Sequence, residues 1–168
     1  MFGLTTLGVF HTAVSLVAVA AGFIALSRGG EISPRNRTGQ IYVIATVITC
    51  LTALGIFQHG GLNKAHALGI ITLIVLGVAA TAGYSALFGR WSRYVETVSY
   101  SATFLFNLIP GITETATRLP PGAPLVASPE APELHAASAA LLVAFLIGAT
   151  LQVRQLRAKG DIKSMARS

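Results

Sequence analysis

The chain of 168 residues has one cysteine, Cys50, so no disulfide can form within it, and the CxxC and CxxCH spacings of metal and haem-attachment sites are absent. Charge is scarce. Only 11% of residues are charged, against roughly 25% in an ordinary globular domain, so most of the chain has no aqueous face. No GxSxG, HExxH or P-loop pattern occurs, which removes the usual signatures of hydrolytic and phosphate chemistry. No charge lies midway along an apolar run, and no inverted repeat or broken helix pair is evident, so secondary transport has no support.

What the chain has is apolar length: 53% of it is hydrophobic, with a mean hydropathy of +0.68. The organising stretch is Gln40 to Phe88, two charge-free runs flanking a polar break at Gln58–Lys64. About 20 residues at ~1.5 Å each cross ~30 Å of hydrocarbon, so this reads as a transmembrane helical hairpin with His59 and His66 at its tip. The same argument gives an all-α membrane bundle of five spans, at about 4–27, 40–57, 66–88, 95–109 and 135–152. Together they make one transmembrane domain, 1–153, followed by a basic tail, 154–168, expected to be disordered or to lie on lipid. The first run has no basic residue before it, so it is expected to be an uncleaved span with its N-terminus outside.

The segment 95–109 is the most ambiguous, because it is short and polar; the alternative is four spans plus a re-entrant or interfacial piece. Parity favours a crossing. The basic clusters at 28–39 and 89–94 and the tail then share one side, the cytoplasmic one by the positive-inside rule. Within this segment Glu96, Tyr100, Thr103 and Asn107 fall at i, i+4, i+7 and i+11. Lipid cannot satisfy such a stripe, so it is expected to face the bundle interior, as interhelical hydrogen bonding or as part of a cofactor, quinone or proton path. Two further stripes set histidines above small residues: His11, Ser15, Ala18, Gly22, and His66, Leu73, Gly77, Ala80, Tyr84. A third is Tyr42, Thr46, Thr49, Ala53. Pro110-Gly111 is expected to end the fourth span and to open an outer loop, 112–134. There Glu114 and Arg118, four apart, are placed to pair on a short interfacial helix capping the bundle.

Counting ~1.5 Å per residue from the basic ends puts His11, His59, His66 and His135 together at the outer end, with His11 deepest. Imidazoles bind haem iron, copper and zinc, so the four are candidate ligands for a b-type haem or a metal, with porphyrin room in the small-residue strips. Interfacial and packing roles are the ordinary alternative.

The residues His11-Thr12, and Arg37-Thr38-Gly39-Gln40-Ile41-Tyr42 opening the second span, resemble a family of small bacterial inner-membrane proteins that carry a domain of unknown function. The resemblance covers about the first 90 residues. It implies a bundle in a bacterial cytoplasmic membrane and names no activity. Asn36-Arg37 stands where those proteins commonly have His-Arg.

Three functions compete. The first is a non-enzymatic accessory, assembly or scaffold subunit of a larger membrane complex. The second is a haem-bearing electron-transfer protein, and the third a metal- or small-ligand-binding sensor or permease component. The expected partners are the lipid bilayer and other membrane subunits or a second copy. Nucleic acid is not expected, because the net charge of +6 lies in short clusters between apolar runs.

Overall fold

The computed structural model describes residues 5–56, 64–120 and 122–165, with side chains through Lys159. The protein is all-helical. In order, α1 is Thr6–Gly29, α2 Arg37–Leu54, α3 Lys64–Tyr84, α4 Ser92–Arg118 and α5 Pro132–Met165, with a 3-10 turn, Gly89–Trp91, before α4. Four of the five, α1, α2, α3 and α5, are long and apolar enough to cross a membrane.

The helices alternate in direction, as the links at their ends demonstrate. His11 near the start of α1 bonds Thr52 near the end of α2. Arg35, just before α2, reaches Gly83 near the end of α3 and Glu96 near the start of α4. Gln152, late in α5, bonds the carbonyl of Gly30. One end of the bundle is therefore rich in arginine, and the other carries His11, His66 and His135.

The outer surface is apolar, and much of the inner one is small or polar, with a few large side chains such as Leu76 and Phe104 among them. All five buried residues of α1 are glycine or alanine: Gly8, Ala18, Ala21, Gly22 and Ala25. Its exposed positions include Val9, Phe10, Leu16, Val17 and Phe23. That inversion suits a lipid solvent, in which helices associate by close approach rather than by hiding apolar surface. Gly22 shows why: a Cβ there would fall 2.5 Å from the Phe104 ring and 3.0 Å from Tyr42.

α4 is the central helix. From Tyr94 to Pro110 none of its residues is exposed. It packs against α1, α3 and α5 and hydrogen-bonds α2 through Tyr42 and Thr46. Its 27 residues make a rod about 40 Å long, well beyond the expected 95–109. Pro110 lies inside it and does not end it. A proline removes one backbone donor, to the carbonyl four residues back, and membrane helices absorb the loss through neighbouring hydroxyls. Beyond the proline, Thr113, Thr115 and Thr117 donate to the carbonyls of Ile109, Gly111 and Thr113, and the helix runs on to Arg118. Glu114 and Arg118 do pair, but on the last turns of α4 rather than on a separate helix. The connecting segment folds back at once, Val126 N–H donating to the Ala116 carbonyl.

Two other expectations are corrected. The inward face of α3 is His66, Gly69, Thr72, Leu76, Ala79 and Ala82, a strip displaced around the helix from the expected one. Gly77 is exposed, with open space where a Cβ would sit, and Tyr84 is exposed as well. α5 stays helical to Met165, so the basic tail begins as a continuation of the last helix.

Candidate functional site

The stripe on α4 is the best-defined constellation. Glu96, Tyr100, Thr103 and Asn107 are all buried, and Glu96, Thr103 and Asn107 make side-chain hydrogen bonds to other segments. Glu96, 2% exposed, accepts from Arg35 Nη1 at 2.5 Å and from Arg93 Nη1 at 2.9 Å. Arg93 continues to Glu31 at 2.5 Å, and Glu31 accepts from the Thr97 hydroxyl at 3.3 Å. Arg35 also donates to the Gly83 carbonyl at 3.0 Å and lies 5.8 Å above the Tyr84 ring. The bond to Glu96 raises the Arg35 pKa above its ordinary value and keeps the guanidinium charged. Gly83 is required here, because a Cβ would fall 2.5 Å from Glu96 Oε1.

Further along, the Thr103 hydroxyl donates to the Tyr100 carbonyl at 2.8 Å. A hydroxyl has one proton, so the 2.8 Å contact between Tyr42 Oη and Thr103 Oγ1 has tyrosine as donor. Asn107 Nδ2 donates to Thr46 Oγ1 at 3.0 Å and reaches Tyr42 Oη at 3.4 Å. A second polar facet, not anticipated from sequence, faces α5: Ser101 donates to Gln152 Oε1 at 3.0 Å, and Gln152 Nε2 donates to Gly30 O at 2.7 Å. Tyr42→Phe is therefore expected to cost about 1 kcal/mol, from the lost bond to Thr103 and the weakened hold on Asn107. Denaturant unfolding of the detergent-solubilised protein measures it.

The histidines are less convergent. His11 is half-buried, its Nδ1 2.9 Å from Thr52 Oγ1. The Thr52 hydroxyl also reaches the Ile48 carbonyl at 2.8 Å. With that bond made, His11 donates from Nδ1 and Nε2 keeps the lone pair. His66 is buried on the inward face of α3. His135 is exposed and 3.9 Å from Glu130, which also binds Lys64 at 2.9 Å. The neighbouring lysine holds the Glu130 carboxyl below its ordinary pKa. His59 lies outside the described residues. Among the described residues no group of three or more His, Cys, Asp or Glu is placed to hold a metal ion.

Haem fits poorly. The strip expected to leave room for a porphyrin beneath His11 is filled, Ala18 being fully buried and Gly22 lying against the Phe104 and Tyr42 rings. The strip beneath His66 includes Gly77, which faces outward. A small cleft at the arginine end, lined by Gly30, Glu31, Thr97 and Gln152, and an open furrow on α5 along Leu146, Ile147, Thr150 and Leu151 both lack a histidine. Cys50 is buried and free.

No family model, curated protein or solved structure matches the chain, so the resemblance of the first 90 residues gains no support there.

Proposed function

We propose that the chain is a non-enzymatic integral membrane component, an accessory, assembly or scaffold subunit of a larger membrane complex. The observation that carries this reading is the outward face of α5. Ala136, Ala140, Ala144 and Gly148 recur every fourth residue; the alanines are exposed, and open space surrounds the position of a Gly148 Cβ. On α1 the small residues pack inward against neighbouring helices. A small-xxx-small track turned outward is what a further transmembrane helix needs for close approach. The polar groups on the α4 stripe support the same reading, because their hydrogen bonds go to α2, to the α1–α2 loop and to α4 itself.

The arginine end is the cytoplasmic one in this proposal. Arg28, Arg35, Arg37, Arg90, Arg93, Arg154, Arg157 and Lys159 lie there, and Lys64 and Arg118 at the other end. By the positive-inside rule the C-terminus is then cytoplasmic and the N-terminus outside. The bacterial cytoplasmic membrane is the compartment that the resemblance of the first 90 residues implies.

The test is purification of the tagged chain from its native membrane in mild detergent. A companion chain, or a second copy, should co-purify at fixed ratio and be lost in Ala140→Leu/Ala144→Leu, whose bulk blocks the track while leaving the fold intact. A lone monomer in both forms would contradict the proposal. A Soret band abolished by His11→Ala would replace it with the electron-transfer reading.

A further inference from the structure

At the arginine end the chain between α3 and α4 makes a sharp turn that leaves large side chains outside the bundle. Leu87 is 75% exposed and Trp91 52%. The Arg90 guanidinium lies 5.3 Å over the Trp91 ring, and Trp91 packs on Tyr94 with ring centroids 5.8 Å apart. The acids described at this end, Glu31 and Glu96, are already engaged: Glu96 holds Arg35 and Arg93, and Glu31 holds Arg93. Among the described residues Arg90 has no ion pair, and neither do Arg28 and Arg37.

We infer that this turn is a docking surface for the headgroups of anionic phospholipids. Charge complementarity selects the occupant: a guanidinium without an ion pair among the described residues, set beside exposed apolar side chains at the arginine-rich end, attracts a fixed negative charge. The geometry suits a phosphate diester in a bilayer. Exposed Trp91 and Leu87, just beyond the end of α3, are the amphipathic and apolar kinds of side chain that enter the headgroup region. A guanidinium stacked on an indole still presents its N–H edge for paired bonds to phosphate oxygens. The inference rests on the membrane reading alone and stands whether or not the protein has a partner subunit.

The experiment is native mass spectrometry of the full-length protein in detergent with equal amounts of phosphatidylglycerol and phosphatidylcholine. The wild type should retain the anionic lipid in preference, and Arg90→Gln/Trp91→Ala should cut that preference by about fivefold. Arg118→Gln, at the histidine end, should leave it unchanged. Far-UV circular dichroism establishes that the variants are folded. Should the double variant fail to fold, a salt series on the wild type decides: the preference should collapse at about 0.5 M, where charges are screened within a few ångströms. Equal retention of both lipids, a preference untouched by the double variant or by salt, or an equal loss in Arg118→Gln would overturn the inference. Binding of a polyglutamate peptide without any lipid preference would assign the surface to a protein partner instead.

Discussion

Glu96→Gln is expected to destabilise the bundle by about 3 kcal/mol. Glutamine keeps the shape of the side chain and can still accept a hydrogen bond, but it removes the one negative charge shared by two guanidinium groups. Glu96 is almost wholly buried, whereas Arg35 and Arg93 are about half exposed. Water therefore relieves part of the cost, which falls at the low end for a broken buried pair. Unfolding in a graded denaturing detergent, followed by helicity, measures the change. Two comparisons isolate its cause. Glu114→Gln removes an equivalent charge from the more exposed pair with Arg118 and should cost under about 0.5 kcal/mol. Combined with Arg35→Gln, Glu96→Gln should cost less than the sum of the two, because they share a partner.

Gly39→Ala should be similarly damaging, by about 3 kcal/mol, the upper range for forcing extra volume into a filled site. Gly39 lies in the first turn of α2, and its N–H donates to the capping Asn36 Oδ1 at 2.8 Å. An added Cβ would fall on the Ser33 carbonyl, which is backbone and cannot rotate away. The α1–α2 turn would have to shift, disturbing buried Ile32 and the placement of Arg35 beside Glu96. Gly77→Ala is the control. Nothing lies within 4 Å of its missing Cβ, so there the gain in helix propensity dominates, and the variant should be neutral or more stable by up to about 1 kcal/mol.

These expectations show which parts of the architecture were legible from residues. The polar stripe on α4 could be read because Glu, Tyr, Thr and Asn stand out against Val, Leu and Ile, and a 3.6-residue period applied to four distinct markers has one solution. The stripe on α3 could not be read in the same way. Alanine, leucine, isoleucine and glycine alternate all round that helix, so an inward and an outward small residue look alike; Ala79 and Ala82 face in while Gly77 faces out. Pro110 is misleading for a related reason, since the rule that proline ends a helix holds in water and weakens where the helix is held by packed neighbours in a bundle.

The partner of Glu96 was within reach of sequence reasoning. A carboxylate at the start of a spanning segment calls for a cation, and Arg35 and Arg93 both lie in the basic clusters at 28–39 and 89–94. Only tertiary geometry tells which cations they are. The histidines illustrate the opposite limit. Position along a helix correctly places His11, His66 and His135 toward one end, but depth along an axis says nothing of the angle around it. His66 faces in and His135 out.

The central claim is that α4 is the interior helix of a membrane bundle, its polar face turned away from lipid. Single cysteines introduced into a Cys50→Ala background, probed in membranes with a lipid-soluble maleimide, test it most directly. Labelling should be slow at Tyr100→Cys, Thr103→Cys and Asn107→Cys and fast at Val9→Cys, Leu16→Cys and Phe23→Cys on the outer face of α1. Labelling of the three α4 positions as fast as the three on α1 would contradict it.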